Sequence, residues 1–491
     1  MHRRPASFAT RPSTSCRTTT HSRVVPTRLI ATLCACCALA GCAQFHPQPI
    51  DPVSSLNAIE ARSLTDSALA RFLTSSRAAV EWPPRSWDLP ALTLVAFFYN
   101  PDLDIVRSQW AAARGALMAA GKRPNPGVTG GPGYNATTPV ADITPWILSL
   151  NLDFTITTAG KRSSQIAAAR HQSESARLAV ASAAWSVRQQ VRQQSLDLYA
   201  ATRAIVLLER QQRTHELNVS LLARRLAAGE ISPFELAQAR LLDGANRASL
   251  NDARRQEAEA RVSLAAALGL TVHALDGITL AFDAFERPAP ALPGTDVRRQ
   301  ALLNRADVLG ALERYEASQS ALRLEIARQY PDIHLGPGYQ MDQDNLKWSL
   351  DLGGVLPVFN RNRGAIAEAE ARRAEVAATF TSVQSRAIEQ VDGAIAAYTA
   401  ATATLASSDA LVADRERMQR SAAAQFAAGE ISQVDLAAIE LTLAGAEAER
   451  LNARVRAQQA LGRLEDAMQS PAVFADWVFT DPSRTPPTKQ R

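Results

Sequence analysis

After Cys42 the sequence has no cysteine: the five it holds are Cys16, Cys34, Cys36, Cys37 and Cys42. Disulfides and cysteine-bound metals are thereby excluded from the body of the chain. Histidine is scarce too. His46, His171, His215, His273 and His334 follow the first 41 residues, and no two stand three or four apart, so no metal site is expected. Aromatic residues are only 6%, sparse for a compact enzyme and in keeping with long alanine-rich helices. No G-x-S-x-G, H-E-x-x-H or Walker sequence occurs. Gly130, Gly131 and Gly133 cluster beside a candidate strand, but Pro132 and a polar loop stand where phosphate binding needs a helix to open. Catalytic residues, cofactor-binding residues and cofactors are therefore not expected, and the chain is not read as an enzyme.

Acidic residues are missing from the first 41 positions, which carry Arg3, Arg4, Arg11, Arg17, Arg23 and Arg28. Those six arginines account for the whole excess of 53 basic over 48 acidic residues. The body then gives no bulk electrostatic reason to bind nucleic acid. Basic residues followed by the short apolar stretch from Leu29 to Ala40 have the order of an export signal, and no other segment reaches 18 apolar residues. Leu39-Ala40-Gly41-Cys42 resembles a bacterial lipobox, with Cys42 as the lipidated residue. By analogy with lipoprotein sorting, Ala43 in place of Asp favours the outer membrane.

The body is written twice. Gly229-Glu230-Ile231-Ser232 recurs as Gly429-Glu430-Ile431-Ser432, and Gly131-Pro132-Gly133-Tyr134 recurs as Gly336-Pro337-Gly338-Tyr339. Asn100-Pro101-Asp102-Leu103 likewise matches Arg305-Ala306-Asp307-Val308. The expected organisation is a signal peptide (1–41), an N-terminal segment (42–99), a first repeat (100–268), a linker (269–304), a second repeat (305–468) and a tail (469–491). Each repeat reads as helix, strand, loop, strand, very long helix, turn, helix.

Proline is absent from Gly160 to Ala228 and from Gly364 to Ala428, so each stretch can form one helix of roughly 100 Å. Val180, Ala184, Val187, Val191, Leu198, Ala201, Ile205 and Leu208 follow a heptad-like spacing, with Arg and Gln between them. At the turn, Gly229 is placed to end one helix in the left-handed conformation. Ser232 is placed to cap the next, with Pro233 in its first turn and Glu235 three residues after the cap. Ser432 and Asp435 repeat this, with Asp the shorter and weaker partner. Trp146, Leu148, Leu150, Leu152, Phe154 and Ile156 alternate with Ile147, Ser149, Asn151, Asp153 and Thr155, and Trp348, Leu350 and Leu352 continue the pattern more briefly. In a soluble protein that apolar side would meet a second layer. Four strands are too few for a closed membrane barrel, so facing lipid would require several chains to share one.

Duplicated strand pairs, very long helices, two Gly-Glu-Ile-Ser tips and a preceding lipobox together resemble the TolC family of outer-membrane efflux proteins over about residues 90–468. Further matches are Leu92-Thr93-Leu94 before Asn100-Pro101-Asp102-Leu103, and Val358-Phe359-Asn360-Arg361-Asn362-Arg363-Gly364. Gly160-Lys161-Arg162 and Asn360–Gly364 are similar to the CzcC-like heavy-metal branch. The fold implied is mostly α with a small β part: a long α-helical barrel plus a membrane β-barrel formed by a homotrimer.

The resemblance implies a passive export duct from periplasm to exterior, embedded in outer-membrane lipids, for heavy-metal cations if the branch holds. Its partners would be a periplasmic adaptor (membrane fusion) protein and an inner-membrane transporter of the resistance-nodulation-division type. It places Asp435, and with less force Glu235, at a constriction. The tips Gly229, Glu230, Ile231, Ser232, Gly429, Glu430, Ile431 and Ser432 would touch the adaptor through exposed Glu-Ile pairs. Lys161, Arg162, Arg361 and Arg363, at the starts of the long helices, would pair with acids such as Asp153, face lipid head groups, or form a solvated polar collar. The competing reading is a lipid-anchored periplasmic coiled-coil adaptor or scaffold.

Overall fold

The computed structural model describes residues 45–75, 82, 84–137, 144–288, 290, 295–343 and 345–469; Cys42, the leader and the tail beyond Gln469 lie outside them. Two compact units divide the chain, Met1–Asn57 and Ala58–Arg491. The described part of the first runs through Phe45–Ile50 into a helix, α1 (Pro52–Glu60). Asp51 opens that helix, its carboxylate accepting from Ser54 N at 3.0 Å.

The second unit continues with α2 (Ser67–Ser75), α3 (Leu89–Tyr99), α4 (Pro101–Ala120), β1 (Gly127–Tyr134), β2 (Trp146–Ile156), α5 (Lys161–Ala227) and α6 (Pro233–Leu268). After the short helices α7 (Asp283–Glu286) and α8 (Thr295–Asn304) the plan repeats as α9 (Ala306–Ala327), β3 (Ile333–Asp342), β4 (Asn345–Gly353), α10 (Arg363–Ala427) and α11 (Gln433–Met468). The duplication read from the sequence is therefore structural. The proline-free stretches form helices of 67 and 65 residues.

Each long helix is matched by two shorter ones meeting end to end. α4 and α6 both pack on α5, while α9 and α11 both pack on α10. The junctions use equivalent residues. In the first repeat Asn100 caps α4 through Asp102 N at 2.9 Å and donates to Ala267 O at 3.3 Å. In the second, Arg305 donates to Ala467 O at 2.6 Å and grips Asp307 at 2.7 and 3.0 Å. Different side chains thus satisfy the same orphan carbonyl at a helix end.

Gly269 closes α6 at φ +73°, and a Cβ there would stand 2.5 Å from Tyr99 O. Its repeat mate Gln469 tolerates φ +46° and accepts from Ala306 N at 2.7 Å. Gly269→Ala is expected to cost about 1–3 kcal/mol in backbone conformation alone, before the collision with Tyr99 is added. Gln469→Gly should change stability far less. Thermal unfolding of the two variants side by side measures this; equal losses would contradict it.

The main core gathers around α3, a helix apolar but for Thr93, whose Val95 and Ala96 are fully buried in one cluster with Leu264 and Leu268 of α6 and Leu196 and Tyr199 of α5. Each such aliphatic burial contributes about 1.5–3 kcal/mol. Among the described residues no single helix is long and apolar enough to cross a membrane; α3 passes only when joined to α4 across a 53° bend. The first hairpin (α5, α6) also carries a buried polar layer. Gln212 donates to Asp243 at 2.7 Å and accepts from Asn246 at 2.8 Å. The second hairpin has Val412, Leu443 and Ala446 at the corresponding positions.

Candidate functional sites at the sheet and the helical tips

The four strands form one antiparallel sheet in the order β1-β2-β3-β4. Register decides what each side presents. Leu148 lies opposite Pro132 and Met341; Leu150 lies opposite Gly130 and Tyr339; Tyr339 and Pro337 lie opposite Trp348 and Leu350. One side is therefore apolar across all four strands, and the alternation holds in β3 and β4 as fully as in β2. Among the described residues nothing covers it: Trp348 is 79% exposed and Leu350 69%. The second layer that a soluble protein would set over this face is not formed among the described residues. Toward the loop ends of the strands the side carries aromatic pairs, Tyr134 with Trp146 at 5.3 Å and Tyr339 with Trp348 at 4.9 Å between ring centres.

The opposite side carries Ser149, Asn151, Asp153, Thr155, His334, Gln340, Lys347, Ser349 and Asp351. Asn151 and Ser349 lean over Gly338, where a Cβ would meet an oxygen of each at 2.4 Å. β1 and β4 are each paired on one edge only. Strands of eight to eleven residues, apolar on one face and polar on the other, have the length and pattern of a tilted membrane strand.

Where strands pass into helices, the expected acid partner is corrected. Lys161 Nζ donates at 2.7 Å to Asp332, not to Asp153, and at 2.7 Å to Tyr330 O. Asp153 instead meets His334 Nδ1 at 3.2 Å. Asp332 offsets the cation that would oppose the dipole at the start of α5. Arg162 donates to Gly121 O, tying α5 to the end of α4. Arg361 and Arg363 are exposed, beside an exposed apolar loop that includes Val355, Leu356, Val358 and Phe359.

Both tips fold as expected. Gly229 and Gly429 take φ +74° and +81°. Each serine closes a capping box. Asp435 is no weaker in geometry than Glu235: its carboxylate accepts from Ser432 N at 3.0 Å, against 3.2 Å for Glu235 from Ser232 N. Glu230 is exposed and pairs with Arg225 at 3.2 Å. The isoleucines are not exposed partners of the glutamates. Ile231 is half-buried against Leu222, Leu236 and Ala239, where Val434 of the other tip joins them. The most exposed large apolar residue at this end is Phe234, 74% accessible, beside Phe426 at 40%; the sequence reading did not single out Phe234.

The side-chain and backbone hydrogen bonds from Ser432 hold the Asp435 carboxyl below its ordinary 3.8. A carboxyl lowered on folding contributes stability above its ordinary value and loses it as the pH falls toward the folded value. Corrected for the intrinsic pH dependence of amide exchange, hydrogen exchange at the second tip is thus expected to be constant down to about pH 3.8 and to accelerate only below it. Asp435→Asn should remove that pH dependence. Acceleration beginning well above the carboxylate range would contradict this.

A third cluster escaped the sequence reading, which noted arginines between the apolar seam positions and gave them no partner. Arg188 and Arg192 of α5 are buried with Glu465 of α11. Arg188 donates to Glu465 at 2.5 Å, and Arg192 to Gln458 at 3.0 Å. Gln458 in turn reaches Phe285 O of the linker at 3.2 Å. The cluster joins first repeat, linker and second repeat. Among the described residues no group of three or more His, Cys, Asp or Glu could hold a metal ion.

Comparison with known proteins matches the chain to the family described as "Outer membrane efflux protein" over residues 85–270 and 297–469. It is 25% identical to the cobalt-zinc-cadmium resistance protein CzcC of Cupriavidus metallidurans over 322 residues, 64% of this chain and 74% of that protein. It is 30% identical to the pyoverdine export outer membrane protein OpmQ of Pseudomonas putida over 201 residues, 36% of this chain and 42% of that one. In fold it resembles the outer membrane protein VceC of Vibrio cholerae, with a TM-score of 0.64 and 21% identity, covering 78% of this chain and 96% of that one.

Proposed function

Since the chain belongs to the outer membrane efflux protein family, and so serves as an outer-membrane efflux channel component, we propose that three copies close their sheets into one 12-stranded barrel. The observation that carries this reading is the four-stranded ribbon, apolar on one side, polar on the other and open at both edges. A bilayer accepts strands only when every backbone group is paired, so β4 of one copy joins β1 of the next. The polar side then lines the duct, the apolar side meets lipid, and the aromatic pairs mark one interface. The long helices continue the passage into the periplasm, and Cys42 supplies a lipid anchor. No bond is made or broken.

The tips contact a periplasmic adaptor, which couples the duct to an inner-membrane pump of the resistance-nodulation-division type. Glu230, Glu430 and the exposed Phe234 are the contact residues this geometry favours. Three Asp435 carboxylates around one axis would repel one another and draw in cations. Heavy-metal cations are the proposed cargo, supported by the likeness to CzcC.

Detergent-extracted membranes run unheated and heated on a gel test the assembly. A trimer-sized band that collapses on heating is expected, and a monomer released by mild washing would reject it in favour of a soluble adaptor. Deleting the gene should lower survival on zinc, cobalt and cadmium. Sensitivity confined to dyes and antibiotics would remove the metal assignment.

A further inference from the structure

The two repeats build their second strand-to-helix crossing from different chemistry. Thr155, Thr158, Ala159 and Lys161 of the first stand where the second has Val355, Val358, Phe359 and Arg361. The first crossing satisfies itself. Thr158 donates from its backbone N to Asp332 at 3.0 Å and from its hydroxyl to Pro331 O, while Lys161 reaches Asp332 and Tyr330 O at 2.7 Å each. The second crossing does not. Val355, Leu356, Val358 and Phe359 are all exposed, Phe359 completely. Arg361 and Arg363 are exposed, and their side chains have no ion pair or hydrogen bond among the described residues.

This bare crossing hangs from β4, an edge strand, at the end of the sheet away from the Tyr134–Trp146 pair. The eleven residues of β2 rise roughly 25–30 Å when tilted, the height of an apolar membrane band, so Leu356 falls at the periplasmic border of that band. With β4 of one copy joined to β1 of the next, the segment leading into that β1 brings Lys122 and Arg123, both exposed and with side chains likewise unpaired. A protein surface made to cover the crossing would offer acids to its arginines; this one offers two more cations. The nearby acids have partners of their own: Asp332 holds Lys161, Glu325 holds Arg328 and Asn362, and Glu368 holds Arg372. Asp351 stands on the polar side of the sheet. Glu370, the next acid along α10, lies two turns past Arg363, about 10 Å. Exposed aliphatic and aromatic side chains beside free guanidinium groups, at the border of an apolar band, match a lipid surface: the apolar groups enter the acyl region and the cations meet phosphate.

We propose that the loop 355–359, with Arg361 and Arg363 of one copy and Lys122 and Arg123 of the next, binds an anionic phospholipid of the periplasmic leaflet. Leu356, Val358 and Phe359 seat the acyl chains, and the guanidinium groups take the head-group phosphate, which their planar fork fits in two-point contact. The inference rests on the shared barrel proposed above, since the seam exists only when copies join. A lipid held there would fasten neighbouring copies at the level where strands become helices.

Full-length protein extracted in mild detergent is warmed in steps, and the trimer-sized band is followed with added phosphatidylglycerol, phosphatidylcholine or inorganic phosphate. Phosphatidylglycerol is expected to raise the temperature at which half the band is lost, the rise growing with lipid concentration. The other two additions should leave that temperature where it was. Arg361→Gln combined with Arg363→Gln should lose most of the shift and Phe359→Ser part of it, while both proteins still form trimer in detergent alone. Mass analysis of lipid carried by the unaltered trimer should show phosphatidylglycerol enriched over the membrane it came from, a readout that needs no variant. A trimer indifferent to phosphatidylglycerol or carrying no excess of it, an equal shift with phosphatidylcholine or phosphate, or an undiminished shift in the double variant would each overturn the proposal and leave the barrel standing. Trimer lost from the variants in detergent alone would make the loop a contact between copies, and would overturn it as well. An unaltered protein that is monomeric in every extract would refute the barrel itself, and the lipid seam with it.

Discussion

Leu150→Arg is expected to abolish the trimer-sized band on unheated gels and to remove the protein from the outer-membrane fraction. Leu150 stands midway along β2, half exposed, on the side that is apolar across all four strands. An arginine facing the middle of a bilayer costs about 2–4 kcal/mol. Three copies carry the substitution at one depth, so the penalty is paid three times in a single particle. Ser149→Gln, one residue away on the polar side, is the matched control and should assemble normally. If both variants assembled alike, the apolar side would not be facing lipid.

The second large effect is expected at Glu465. Glu465→Ala leaves Arg188 and Arg192 buried with no acid between them, and breaking such a pair from one side typically costs about 3–5 kcal/mol. Equilibrium unfolding should show this loss. The triple substitution Arg188→Met, Arg192→Met and Glu465→Met should regain much of it, because no buried charge is then left without its partner. A Glu465→Ala protein as stable as the parent would mean that water already reaches the cluster.

These two sites also mark what could be read from the chain in advance. The β2 face was legible because strand periodicity is strict: alternate residues share a side, and every second residue from Trp146 to Ile156 is apolar. The tips were legible because Gly229, Ser232 and Glu235 each do a local job at a fixed offset. The buried arginines were not, since a guanidinium between heptad positions has the same local pattern whether it meets water or a carboxylate more than 270 residues away. Lys161 failed for a related reason: Asp153 is near in sequence, but strand pairing brings Asp332 beside it and gives Asp153 to His334. The half-burial of Ile231 comes from packing on Leu222, Leu236 and Ala239, which the turn pattern of the tip alone does not show.

The open edges of β1 and β4 carry a consequence for biogenesis. A newly exported chain is a ribbon with two adhesive borders, ready to pair with any extended strand it meets. With the proposed closure of three such ribbons, halving the supply of chains in the dilute limit cuts finished rings by about eightfold. Expression level would then act as a steep dial on outer-membrane permeability, and a surplus of unclosed ribbons would be the form that quality-control proteases meet first.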